Sequence, residues 1–141
     1  MTPLCSPKGL RSDLEDSCRE AFWTSLLLTG SVLQAEALVI EAIELWNPGD
    51  TVEGALTRYV IDRSVQAREA VDIRLASQIV REDLRPVLQL PDRHRHCFVL
   101  RVLANLSRQA CECILGLTGF QVDRYTTAAL ADLAENERER S

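Results

Sequence analysis

Two short stretches hold the residue types that bind zinc. His94, His96 and Cys97 stand close together, and Cys111 and Cys113 flank a glutamate. Imidazole nitrogens and thiolates are the ligands that zinc prefers. Residues two apart on a helix project about 200° from each other, so Cys111 and Cys113 cannot reach one tetrahedral ion while their segment is helical. A free cysteine can instead act as a small apolar core residue. We therefore expect no metal ion and no other cofactor.

The sequence has no recognisable motif of a catalytic site. Neither histidine belongs to a recognisable nucleophile motif, and the chain has no glycine-rich phosphate loop. Glu36, Glu41 and Glu44 alternate with apolar residues, which is the pattern of the solvated face of a helix. We expect a protein that is not an enzyme.

The stretch from Ile114 to Tyr125 has the pattern of a helix, a turn and a second helix. Gly116 follows two apolar residues and can adopt the left-handed conformation that ends a helix. Thr118 and Gln121 can form a capping box at the start of the next helix. Four side chains would then point toward a DNA major groove, where glutamine suits adenine and arginine suits guanine: Thr118, Gln121, Arg124 and Thr127. The alternative is a cap followed by ordinary surface residues.

Composition limits the classes of protein that remain. The chain has 141 residues, a length that suits one ordinary domain or two very small ones. Its residues are 46% hydrophobic and 26% charged, a composition that allows a packed core. The formal net charge is −5, so any surface for nucleic acid must be local. No apolar run suits a membrane span or a signal peptide, and the five cysteines form no regular framework. We expect a cytoplasmic protein without a membrane contact.

Hydrophobic periodicity predicts an all-α protein that begins with three helices. Residues 1–11 contain two prolines and a glycine and are predicted to form a loose tail, after which Ser12 and Glu15 can cap the first helix. Turn residues at 47–50 separate the second helix from the third. The predicted apolar stripes are Leu14, Cys18, Phe22 and Leu26, then Ala35, Leu38, Val39, Ala42, Ile43 and Trp46, then Leu56, Tyr59 and Val60. Trp23 and Trp46 are also expected in the core.

Four further helices are predicted in the second half of the chain. A polar helix spans residues 66–84, and Pro86 interrupts it. Its apolar stripe is Val71, Leu75 and Ile79. Pro91 fits the first turn of a fifth helix that is apolar nearly all round and therefore central. Ser107 caps a short sixth helix, the seventh follows Thr118, and the charged C-terminal tail is expected to fray.

Residues 90–133 contain, in order, a Leu-Pro start, an arginine, an apolar helix and a Leu-Gly turn, at Leu90-Pro91, Arg95, Phe98–Arg101 and Leu115–Thr118. This order resembles the promoter-reading domain of bacterial RNA polymerase sigma factors of the extracytoplasmic-function type. Residues 26–46, with their Leu-Thr-Gly turn, are similar to that family's N-terminal core. The resemblance implies two small packed helical domains, over residues 12–84 and 90–134, the second with a helix-turn-helix.

The resemblance also implies RNA polymerase core and promoter DNA as partners. The last helix would read the groove, while three arginines of the preceding helix would lie near phosphates: Arg93, Arg95 and Arg101. The family's polymerase-facing helix corresponds here to a candidate partner-binding surface at Ala37, Ile40 and Glu41.

Both of these surfaces depart from the family pattern. Ala37 and Ile40 replace an aspartate and a glutamine, which suggests a different partner or burial against the other half of the chain. Glu112 replaces a small alanine, so the helix pair must open or the carboxylate must escape sideways. Residues 106–133 hold two arginines and three acids, a net of −1, whereas Arg93, Arg95 and Arg101 against Asp92 give +2. Few phosphate contacts are therefore expected.

Two functions remain open at this point. The first is a transcription initiation factor or regulator that binds DNA, RNA polymerase or both, and the order of parts favours it. The second is an interaction module that kept the sigma fold and binds a protein partner, or itself, with little or no DNA binding. The charge distribution favours this second function. The salt dependence of DNA binding separates the two, because phosphate contacts weaken steeply with salt.

Overall fold

The computed structural model describes residues 7–45, 55–67 and 73–140, and all regular structure in these ranges is helical. The α-helices are α1 Pro7–Thr29, α2 Val32–Leu45, α3 Ala55–Gln66, α4 Ile73–Ile79, α5 Asp92–Phe98, α6 Arg108–Leu115 and α7 Gly119–Arg140. A 3-10 helix, Glu82–Gln89, precedes α5, and a π-helical segment, Val99–Leu103, continues it. The prediction of an all-α protein is confirmed.

The first and last helices are longer than predicted. α1 begins at Pro7, so residues 7–11 are helical and Ser12 lies within the helix instead of capping it. Proline suits the first turn of a helix because its missing N–H has no intrahelical partner there. α7 continues to Arg140 through the tail that was expected to fray. Glu135 and Arg138 are three residues apart, a spacing at which opposite charges favour a helix.

The predicted helix over residues 66–84 is wrong in both extent and face. α4 spans only Ile73–Ile79, and Pro86 lies inside the 3-10 helix that follows. Ala76 and Val80 are buried, whereas Leu75 and Ile79 are exposed, so the buried face lies one residue further along than predicted. Val71, the remaining member of the predicted stripe, lies outside the described residues.

The larger core cluster contains residues from both halves of the chain. α1 contributes the buried run Leu26–Leu28, and α5 with its π-helical continuation contributes Phe98–Leu100. Val122 and Ala129 of α7 pack into the same cluster, as does Ile61 of α3. The predicted domains at 12–84 and 90–134 therefore share apolar packing, and α1 contacts α5 directly.

A smaller cluster holds α1, α2 and α3 together. It is formed by Ala21, Leu38, Ala42, Leu56 and Val60. The predicted stripes of α2 and α3 are confirmed at these positions, whereas Trp23 is exposed and Trp46 lies outside the described residues. Ser64 donates to the Val60 carbonyl at 2.6 Å, which leaves the buried Ser25 hydroxyl to donate to Ser64 Oγ at 2.8 Å. The α1–α3 contact thus includes a satisfied buried polar pair.

Candidate functional site

The turn between α6 and α7 has the local caps that were predicted. Ser107 Oγ accepts the Ala110 N–H at 3.1 Å at the start of α6. Gly116, with φ 66°, ends that helix in the left-handed region. Thr118 Oγ1 accepts the Gln121 N–H at 3.2 Å, and Gln121 Oε1 accepts the Thr118 N–H at 3.0 Å. This reciprocal pair is a capping box, which satisfies two backbone donors that the start of α7 leaves free.

A glycine at the start of α7 accommodates the carboxylate of Glu112. The side chains of Glu112 and Arg108 lie against the buried Gly119, in the space that a Cβ at this position would occupy. Arg108 Nε also contacts Asp123 Oδ2 at 3.3 Å. The carboxylate has therefore escaped over the turn, as the second of the two predicted alternatives required, because residue 119 has no side chain.

The outermost face of α7, here called the α7 strip, consists of Phe120, Arg124, Thr127 and Ala131. These residues follow steps of three and four and lie opposite the buried Val122 and Ala129. Arg124 and Thr127 were predicted for the groove and are exposed. Thr118 and Gln121 are engaged in the capping box instead. The sequence reading missed Phe120, whose side chain is 71% exposed.

The prediction that Arg95 lies near phosphates is wrong. The residue is only 6% exposed, because its guanidinium joins three parts of the chain. Its Nε donates to the Leu28 carbonyl at 3.2 Å and its Nη1 to the Leu90 carbonyl at 3.1 Å. Its Nη2 contacts Asp92 Oδ1 at 3.0 Å. Arg95 thus satisfies carbonyls at the end of α1 and before α5, and it is a structural residue.

The other two arginines assigned to phosphates are partly committed to the protein. Arg93 is exposed, but its Nη1 donates to the Tyr125 hydroxyl at 3.2 Å and its Cζ lies 6.0 Å from the centroid of that ring. Arg101 donates from Nη1 to the Leu106 carbonyl at 2.9 Å. Both acceptors are neutral, so Arg93 and Arg101 keep their charge and together account for the +2 counted from the sequence, because Arg95 and Asp92 pair with each other.

The two histidines face different surroundings. Nε2 of His96 lies 3.3 Å from the Leu28 carbonyl, and burial lowers the pKa of this imidazole, with the neighbouring Arg95 lowering it further. Nδ1 of His94 is a buried atom without a hydrogen-bond partner among the described residues. Asp132 Oδ2 lies 3.8 Å away from it, which is too long for a hydrogen bond. The His94 ring instead packs near Tyr125, 5.4 Å between centroids.

The cysteines divide into buried and exposed thiols. Cys97 and Cys111 are fully buried, and Cys113 is exposed. Burial, followed by the neighbouring Cys111, raises the pKa of the Cys97 thiol to about 11, and burial also raises the pKa of Cys111. Such thiols stay protonated and pack as small apolar groups. Across residues 7–45, 55–67 and 73–140, no three histidine, cysteine or acidic side chains converge into a set that could hold a metal ion.

The outward side of α2, here called the α2 face, is apolar at its centre. It consists of Leu33, Ala37 and Ile40, with Glu36 and Glu44 beside them. Leu33 is 74% exposed and Ile40 is 56% exposed. The predicted alternative in which Ala37 and Ile40 are buried against the other half of the chain is therefore wrong. The inward side of α2 is apolar as well, through Ala35, Leu38 and Ala42.

Glu41, the third predicted partner-binding residue, is half-buried and contacts side chains of α3. Its Oε1 accepts the Tyr59 hydroxyl at 2.6 Å and lies 3.5 Å from Arg63 Nη2. The hydrogen bond to this carboxylate raises the pKa of Tyr59. Glu41 thus links α2 to α3, while Ala37 and Ile40 remain at the surface.

Comparison of the chain with protein-family models, with curated proteins and with solved structures finds no match. In the three described ranges, no helix has both the length and the apolar character needed to cross a membrane.

Proposed function

We propose that the chain is a sigma-factor-like transcription regulator that docks on RNA polymerase core through the α2 face. The observation that carries the proposal is the row of exposed aliphatic side chains at Leu33, Ala37 and Ile40. The order of parts along the sequence, which resembles that of sigma factors, supplies the choice of partner.

A contiguous apolar row on the outer side of a packed helix is a candidate docking surface. A helix at the protein surface normally turns polar residues to water. α2 is already fixed to α1 and α3 by its inward residues, so the outward row is not needed for its own packing. Residues spaced by four and three form a continuous ridge that fits a groove on a partner. Each large aliphatic side chain fully buried by docking contributes about 1.5–3 kcal/mol.

The test is a binding titration of the labelled chain with purified bacterial RNA polymerase core, followed by fluorescence anisotropy. Ile40→Asp is expected to weaken binding about 30-fold, because it removes apolar contact and requires a carboxylate to lose water. Val102→Asp is the matched control, since Val102 is also an exposed aliphatic residue, on the π-helical segment. An unchanged affinity for Ile40→Asp, or a wild-type chain that does not bind the polymerase, contradicts the proposal.

A second candidate function is weak DNA binding through the α7 strip. It is supported by the position of Arg124 at the centre of the strip, while the nearby Asp123 is held by Arg108. Arg124 makes no ion pair with any residue that the structure describes, so it is available to a base or a phosphate. Together with Arg93 and Arg101 it could neutralise about three phosphates, which corresponds to a log–log salt slope of about −3.

Titrations of duplex DNA at several salt concentrations test this second function. Arg124→Ala is expected to weaken binding about tenfold and to reduce the salt slope by about one. Arg74→Ala serves as the control, because Arg74 is an exposed arginine on α4 and not a member of the strip. A flat salt dependence, or an Arg124→Ala variant that binds as tightly as the wild type, leaves protein docking as the only proposed activity.

A further inference from the structure

We infer that a second copy of the chain docks its α7 strip on the α2 face, so that the protein self-associates through two different surfaces. The two surfaces have opposite charge and matching apolar content. This inference rests on the proposed function only in using the same α2 face, and it needs neither polymerase nor DNA.

The charges of the two surfaces are complementary. The α2 face presents Glu36 and Glu44 but no basic residue, and the α7 strip presents Arg124 but no acid. None of these three side chains makes an ion pair within the described ranges, so each is free to pair across an interface. Two copies of the α2 face would bring their acids together, and two copies of the α7 strip would bring their arginines together. Pairing unlike surfaces avoids both repulsions.

The apolar residues and the helical spacing predict an ion pair between Arg124 and an acid of the α2 face. Phe120 is the largest exposed side chain of the α7 strip, and Leu33 and Ile40 are its counterparts on the α2 face. When Phe120 packs on Leu33 with the helices parallel, Arg124 lies one turn further on, beside Glu36. When Phe120 packs on Ile40 with the helices antiparallel, Arg124 again lies beside Glu36, because 36 precedes 40 by one turn. Both of these arrangements pair Glu36 with Arg124, whereas Phe120 on Ile40 with the helices parallel would place Arg124 beside Glu44. Two of the three arrangements in which Arg124 meets an acid therefore use Glu36, which is the pair that the variants test.

Self-association of this kind has a regulatory consequence. Each contact covers the α2 face of one copy, proposed to dock on polymerase, and the α7 strip of the other copy, proposed to touch DNA. Self-association therefore competes with polymerase docking in the first copy and with DNA binding in the second, and dilution or competition by a partner would reverse it.

The test is sedimentation equilibrium of the full chain with charge-reversal variants. Glu36→Arg and Arg124→Glu are each expected to weaken self-association about tenfold, because each places like charges opposite one another. The combined Glu36→Arg/Arg124→Glu variant restores the attraction with reversed sign and should recover to within about threefold of the wild type. Glu20→Arg and Arg74→Glu are matched controls on exposed residues of α1 and α4. Circular dichroism confirms that each variant is folded.

Three results would overturn the inference. A wild-type chain that remains monomeric up to about 100 µM does not form the inferred contact. Single reversals that leave self-association unchanged place the contact elsewhere. A combined variant that is no better than either single variant shows that Glu36 and Arg124 do not meet. These outcomes involve no polymerase, so a failure here is distinct from a failure of polymerase docking.

Discussion

Replacing Arg95 with alanine is expected to lower the free energy of unfolding by about 3–4 kcal/mol. The guanidinium is buried and donates to the carbonyls of Leu28 and Leu90, two backbone segments that no other side chain joins in this way among the described residues. Alanine cannot replace these donors, so the Leu90 carbonyl is left without its side-chain partner in a site closed to water. The Leu28 carbonyl keeps only the longer contact with His96. The loss of stability should affect both halves of the chain.

Urea unfolding followed by circular dichroism measures this effect, which corresponds to a fall in Tm of about 10 °C. Arg93→Ala is the matched control, two residues away on α5 but exposed, and it should cost less than about 1 kcal/mol. A loss of less than 1 kcal/mol for Arg95→Ala would mean that water replaces the guanidinium without penalty. It would also reopen the question of whether Arg95 can turn outward.

Leu100→Ala is expected to cost about 3 kcal/mol and to weaken both halves of the chain together. Leu100 is fully buried in the larger core cluster, which also contains Leu26–Leu28 of α1 and Ile61 of α3. Removing three carbon atoms there leaves a cavity that residues from both halves line. A cavity shared in this way lowers the stability of all the elements that border it.

Native-state hydrogen exchange separates a shared core from two independent ones. In Leu100→Ala, amides of α1 and α3 should lose protection by the same free energy as amides of α5 and α7. Leu130→Ala is the control, because Leu130 on α7 is 47% exposed and contributes less burial. Protection lost only in α5–α7, with α1 and α3 unchanged, would mean that residues 12–84 and 90–134 fold as separate domains.

Local rules made the turn predictable from sequence, whereas long-range contacts did not. The caps at Ser107 and at Thr118 with Gln121 depend on hydrogen bonds between residues three apart, so the sequence contains all the information they need. Arg95 depends on Leu28, 67 residues earlier, and no spacing rule reveals such a partner. Counting Arg95 as surface charge was reasonable for its residue type and wrong for its place in the fold.

The exposed surfaces were only partly predictable, for reasons that differ between residues. Ile40 was predicted to be a contact residue by comparison with a family pattern, and its exposure excludes only the alternative of burial against the other half of the chain. Phe120 could have been recognised, because it is two residues from the buried Val122 and helical spacing places them on opposite sides. The prediction that Leu75 is buried failed because α4 is short. Three apolar residues define the buried face of a helix poorly when a neighbouring residue, here Ala76, is also apolar.

The fit of Glu112 and Arg108 against Gly119 links the space under the turn to the charge beside it. A side chain at residue 119 would have to displace the Glu112 carboxylate and draw Arg108 away from Asp123. Both groups are the far ends of flexible side chains, so an alanine at residue 119 is expected to be accommodated when they rotate away, and the contact between Arg108 and Asp123 is what is lost. Such a change would free Asp123 beside the α7 strip, so the charge of the strip is coupled to the volume under the turn.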